Sequence, residues 1–250
     1  QDSRLRHSVI VIVALLAISC GASPSAPAPA RQPQQPPPPS QPPPTSTTPY
    51  WDVAAQGIPR LTTHNHIDLA SISQISRFRS GVGHDYWDDF ERCRSMKHYF
   101  MPPQNSSAKG IGIYAPFDGQ IVRMTPEWAG VQIEVASTAN PAFAAVLFHV
   151  NPSVGMVVGT TLAGGQRIGT HIGQETMHDI TIQVSEKGGR RLVPLFETMT
   201  DAVFALYQAR GMATREQGTI TKAERDASPL TCIGEFFTDS GTLPNWVILN

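Results

Sequence analysis

The chain has 250 residues, 19 Lys+Arg against 20 Asp+Glu, a formal charge of −1 and 16% charged residues. So even a balance supplies no broad basic field, and no nucleic-acid partner is expected. Three cysteines exclude both a disulfide-framework miniprotein and a four-cysteine zinc site.

Residues 1–20 read as an export signal. Arg4, Arg6 and His7 precede an unbroken apolar run from Val9 to Ile18. That run suits a signal-peptide core and is too short to cross a bilayer of about 30 Å as a helix. It ends Ala17-Ile18-Ser19-Cys20 and continues Gly21-Ala22-Ser23. Small residues before a single cysteine resemble a bacterial lipobox, with Ala17 where leucine is commoner. Cys20 is therefore the expected lipidation site and the membrane the first expected partner. The alternative is an ordinary secretory signal with a chance cysteine. Gln1 in place of a methionine implies that residues precede the given start.

Proline sets the next boundary, because 12 of the 22 prolines fall between Pro24 and Pro49. A window nearly half proline cannot pack a core. Residues 21–49 hold one charge, Arg31, and favour extended polyproline II at about 3.1 Å per residue. A disordered spacer holding a domain away from the membrane is the expected role, with a proline-rich ligand for a partner domain as the alternative.

The remainder reads as strands and then helices. Val131 to Val135 and Ile180 to Val184 alternate apolar and polar residues, each predicting a strand with one apolar face. Ile111 to Tyr114, Gln120 to Met124 and Ala144 to Val150 are further strands, separated by turns such as Pro116-Phe117-Asp118-Gly119 and Ala163-Gly164-Gly165. This series suits a sandwich or barrel. Beyond it, Pro194 can open a helix whose apolar stripe is Leu195, Met199, Val203, Leu206 and Tyr207, with Gly211 placed to end it. A second helix is predicted from Thr221, with Glu224 completing a capping box. The expected domains are β at 50–190 and a helical extension packed on it at 191–250.

Cys93 and Cys232 remain once Cys20 is lipidated. In an exported domain they form the obvious disulfide, closing 139 residues of chain. Two unpaired buried thiols are the alternative.

Seven histidines lie beyond the spacer, and none falls in a His-Glu-x-x-His pair. His64-Asn65-His66 reads as an exposed loop before the strands, with a two-histidine metal pair as the alternative. The glycine pairs are too short for phosphate loops, and no Gly-x-Ser-x-Gly elbow supports a serine nucleophile.

One ordered set of motifs remains: Phe78 to His84, Lys97-His98-Tyr99, Ile113 to Gly119, Phe148-His149-Val150, Ala163 to Gly169 and Ile180 to Val184. Over roughly residues 76–186 this order resembles the lysostaphin/LytM zinc peptidases. The resemblance implies a mainly β barrel-sandwich hybrid, the duplicated hybrid motif related to biotinyl and lipoyl domains. It also implies roles for particular residues. His98 matches the histidine of the family's first zinc motif, but Pro102 stands where that motif has aspartate. Asp179 and Thr181 stand where the last motif has its two histidines, and His149 matches the remaining catalytic histidine.

The departures discourage zinc binding on the family's pattern. No cofactor is expected, and zinc is the ion the resemblance leaves open. His84, Asp85, His98, His149, His171, His178 and Asp179 all fall near the same strand ends under this alignment, so substitute ligands are conceivable. The preferred reading is a satisfied polar cluster in a former active-site groove, with His84, Asp85, His98, His149, Asp179 and Thr181 lining it and Asp85 orienting the His84 ring. Trp87 and Trp128 are candidates for its walls. The expected function is a lipid-anchored envelope protein that binds peptidoglycan, a peptide or a protein partner without hydrolysis. The alternative is a zinc-dependent cell-wall metallopeptidase with rearranged ligands. There His98 and Asp179 would hold the metal and His149 would act in catalysis.

Overall fold

Alternating apolar residues bury one face of a strand, and a continuous apolar run buries both; the chain uses each device. A computed structural model describes residues 49–173 and 176–250; the expected signal, Cys20 and the spacer through Thr48 lie outside them. The strands are β1 (Gln74–Ser76), β2 (His98–Met101), β3 (Gly112–Tyr114), β4 (Gly119–Pro126), β5 (Val131–Ser137), β6 (Phe143–Pro152) and β7 (Thr161–Leu162). They continue with β8 (Arg167–His171), β9 (His178–Glu186), β10 (Gly189–Val193), β11 (Cys232–Ile233), β12 (Phe236–Phe237) and β13 (Trp246–Ile248). The fold is mainly β, as the alternation implies.

Eleven strands form one sheet along the path β13-β1-β2-β9-β6-β5-β4-β7, with β10 on β9, β8 on β6 and β3 on β8. Every pairing is antiparallel. β6 is central, and Phe143 to Phe148 is buried without interruption. Its neighbours contribute Ile133, Val135, Ile180, Ile182 and Val184 to the same core. β11 and β12 form a separate hairpin. The Cys93–Cys232 disulfide is present, with Cα atoms 5.8 Å apart, and ties that hairpin to the segment before β2.

Two expectations change here. The helix expected from Pro194 is broken in two, α1 at Leu195–Thr198 and α2 at Asp201–Gln208. Between them Met199 is extended and Thr200 caps the second helix. The cause is a competing isolated β-bridge between Thr62 and Met199: Thr62 N donates to Thr198 O, and Thr200 N donates to Thr62 O. The expected stripe loses Leu206, which is 49% exposed. The final 60 residues are also not simply helical, since β13 pairs with β1 in the main sheet. A third helix, α3 (Lys222–Ala227), starts on the expected Thr221/Glu224 capping box.

The His64-Asn65-His66 stretch splits in the same way. His64 is exposed and lies against the Gly164-Gly165 turn, where an added Cβ at Gly164 would come 2.5 Å from the imidazole. His66 is fully buried between the rings of Phe100 and His178, not in an exposed loop.

Candidate functional site

The register of β2 on β9 decides which residues reach the groove. His98 lies opposite Ile180, and Tyr99 opposite Asp179. Directly opposed residues share a face, and neighbours alternate. Asp179 and Tyr99 therefore face one side together with Lys97 and Thr181, while His98 and Ile180 face the core. His98 Nδ1 bonds Ser76 O at 2.9 Å, and its Nε2 accepts from Leu195 N at 3.2 Å. Both ring nitrogens are used inside the protein. The expected metal pair of His98 and Asp179 is not brought together.

Lys97 takes the place the sequence reading gave to His98. Its Nζ donates to Asp179 Oδ2 at 2.6 Å and stands 3.3 Å from His84 Nε2. The ammonium also sits over the Phe148 and Tyr86 rings, 3.9 and 4.5 Å from their centroids. Asp179 is wholly buried, and Lys97 nearly so. Burial works against the lysine's charge, but the Asp179 carboxylate outweighs it and holds the amine above its usual value. The same ammonium, after burial, pushes the His84 imidazole below its usual value.

His149 reaches this point through a bulge. Val131 pairs with Val150 and Ile133 with Leu147, so Gln132 opposes both Phe148 and His149. The extra residue adopts a left-handed backbone at His149, φ 57°. There β6 also changes partner, from β9 to β8. A carbonyl oxygen only accepts, so the 2.9 Å contact to Ala129 O places a proton on His149 Nδ1. Its Nε2 is left 3.5 Å from Asp179 Oδ1, an oxygen with no hydrogen-bond partner. Glu127 Oε2 lies 3.4 Å from His149 Nδ1; burial raises this carboxyl's pKa, against the pull of His149.

These groups form the floor of a cavity of about 590 Å³. Tyr86 and Phe148 form walls, and Trp128 and Phe236, 77% and 66% exposed, stand at its rim. Of the sequence candidates, His84, His149 and Asp179 line it. Thr181 does not; its hydroxyl donates to Met96 O at 2.7 Å. Asp85 does not either: its carboxylate accepts from Arg94 N, and the His84 ring is held by the backbone carbonyl of Asp85. Asp85 and Trp87 instead line a smaller adjoining cavity of about 220 Å³. His171 and His178 are turned to local partners, Gly173 N with Thr176 Oγ1 and Phe148 O respectively. Lys97 and Glu127 escaped the sequence reading. Strand parity was the available signal for the first, since Lys97 and Tyr99 lie two apart and share a face.

Zinc does not fit this arrangement. Among the described residues no group of three or more His, Cys, Asp or Glu side chains is set to hold a metal ion. A water-activating zinc needs three protein donors and an open position. Here the point between Asp179 and His84 is filled by a side chain carrying its own positive charge.

No family model matches the chain, and no curated protein does. Solved structures do. A structure named for a LytM glycyl-glycine endopeptidase from Ruminococcus gnavus is 15% identical over 40% of this chain and 44% of its own, with a TM-score of 0.33. Lysostaphin is 16% identical over 38% of this chain and 39% of its own, with a TM-score of 0.30. The SpoIIQ–SpoIIIAH pore-forming complex is 12% identical over 59% of this chain and 96% of its own, with a TM-score of 0.39. The chain thus spans less than half the length of the first two. Structures of the lysostaphin/LytM type are among those it is similar to, as the sequence motifs imply.

Proposed function

We propose that this domain is a non-catalytic binding module of the bacterial cell envelope. Its groove takes an extended peptide, either the peptide part of peptidoglycan or a segment of an envelope protein. One observation carries the reading. The floor is closed by the buried Lys97–Asp179 ion pair beneath an aromatic-rimmed cavity of about 590 Å³. An internally paired charge gives recognition groups without an open coordination position, and Trp128 and Phe236 offer contact area at the rim. Hydrolysis by rearranged ligands finds no support in this donor set, and His98 has no access to the groove.

The experiment is a titration of the isotopically labelled domain, residues 46–250, with soluble cell-wall peptides, followed by NMR. Shifts at Trp128, Phe148 and His149 that are lost in Trp128→Ala support the reading. Cleavage of the peptide, or shifts confined to other faces, overturns it. Attachment through Cys20 belongs to the same proposal: Cys20→Ser should move the exported chain from the membrane fraction to the soluble envelope fraction.

A further inference from the structure

We infer that the groove selects a peptide carrying a primary ammonium, which it draws to the acidic, aromatic mouth formed by Glu127, Glu235, Trp128 and Phe236. The inference rests on the peptide-binding reading above and narrows its ligand by chemistry.

Charge sets the sign. Among the described residues, the carboxylates that line the cavity are Glu127, Asp179 and Glu235, and Lys97 is the one lysine or arginine. Lys97 is matched by Asp179 at 2.6 Å, which leaves the two glutamates in excess. Neither pairs with a lysine or arginine among the described residues; Glu127 has the His149 imidazole 3.4 Å away. Burial raises the Glu127 pKa despite the opposing pull of that imidazole, as happens to a carboxylate short of counter-charge. Glu235 is exposed. The cavity thus attracts cations and repels anions.

The rings suit the same guest. Trp128 and Phe236 stand exposed at the rim, and an aromatic face attracts an ammonium within about 6 Å of its centroid. The floor already uses this chemistry. There the Lys97 ammonium lies 3.9 and 4.5 Å from the Phe148 and Tyr86 centroids, against the Asp179 carboxylate. The mouth repeats rings and carboxylates without a cation of its own.

Two floor atoms point to a ligand independently of the glutamates. Asp179 Oδ1 and the Tyr99 hydroxyl are buried and have no hydrogen-bond partner. Both residues line the cavity, and the hydroxyl lies against Gly83, where an added Cβ would come 2.2 Å from it. Buried polar atoms of this kind call for donors from outside the chain. A peptide brings its backbone N–H groups, and an ammonium adds three more.

The test compares two probes that differ by one charge. The full chain is titrated by NMR at pH 7.5 with an alanyl-lysyl-alanine peptide blocked at both ends, and with the same peptide acetylated on the lysine amine. The amine form should bind about tenfold more tightly. In Glu127→Gln/Glu235→Gln that ratio should fall toward one. Equal binding of the two peptides to wild type overturns the inference and leaves the peptide-binding reading standing; binding of neither removes both. A ratio that survives the double variant also overturns the inference, because the ammonium then sits elsewhere. If the double variant does not fold, the exposed Glu235→Gln alone decides: the ratio should drop, and an unchanged ratio overturns the inference.

Discussion

Lys97 and His98 are consecutive residues serving opposite sides of one sheet: the ammonium of the first lies 2.6 Å from Asp179 Oδ2, while both ring nitrogens of the second are bonded to backbone groups in the interior. The chemistry of the groove follows from that parity. A histidine facing the groove would have given Asp179 a metal-ligating neighbour. A lysine there gives it a permanent counter-ion.

That ion pair should behave as a unit. With both partners buried, Lys97→Met leaves an uncompensated carboxylate and Asp179→Asn an uncompensated ammonium, each costing about 3–5 kcal/mol. The double variant Lys97→Met/Asp179→Asn should recover most of that loss, measured by urea unfolding in chelator. The folded pKa of Lys97 lies above its unfolded value near 10.4, so its contribution is complete below about pH 10.4 and fades as pH climbs toward the folded value. An alkaline loss of stability in wild type, missing from the double variant, is the expected result.

Acid should weaken the domain through its buried imidazoles. Burial lowers His66 to about 3 and His98 to about 4. Below about pH 6.5 the unfolded chain takes protons that the folded chain refuses, so stability falls as pH drops, by about 1.4 kcal/mol per unit for each group. His66 has no hydrogen-bond partner on either nitrogen and packs edge-on to Phe100. His66→Phe should therefore fold, and should show a shallower acid slope than wild type in urea titrations at pH 7, 6 and 5. An unchanged slope would count against a neutral buried His66.

The disulfide should hold both the fold and the groove's rim. Cys93 and Cys232 close 139 residues of chain, and Cys232 opens the hairpin that carries Phe236 to the cavity. Cys93→Ala/Cys232→Ala should cost about 2–5 kcal/mol. Alkylation and intact mass without reductant should find both thiols of the wild-type domain protected.

The bulge at His149 stores backbone strain. At φ 57° a side chain pays the left-handed penalty that glycine avoids. His149→Gly should thus be more stable than His149→Ala by about 1 kcal/mol in thermal or urea unfolding, because both lose the imidazole and only the second keeps a Cβ.

The β framework was legible because it rests on local pattern. The alternation at Val131 to Val135 and at Ile180 to Val184, the Asp118-Gly119 turn and the Thr221/Glu224 box each depend on residues a few places apart, and all appear where expected. The Cys93–Cys232 pair was legible by counting. The break after Thr198 was not, because the bridge that causes it comes from Thr62, more than 130 residues earlier.

The sequence by itself determined which residues alternate, where the chain turns and which cysteines are left to pair, since these follow from neighbours along the chain. The resemblance in motif order put His84, Asp85, His98, His149, Asp179 and Thr181 in one groove, and of these His84, His149 and Asp179 line the cavity. Tertiary structure alone decided what those residues do. Which face a side chain takes depends on register against a distant strand, and a shift of one residue moves it from groove to core. The register of β2 on β9 sent His98 inward and Lys97 to Asp179, and the bulge in β6 turned His149 toward the same carboxylate. Whether a cluster of donors is a metal site or a neutralised ion pair is settled by the sign of one buried charge, and only three-dimensional contact brings that charge to its partner.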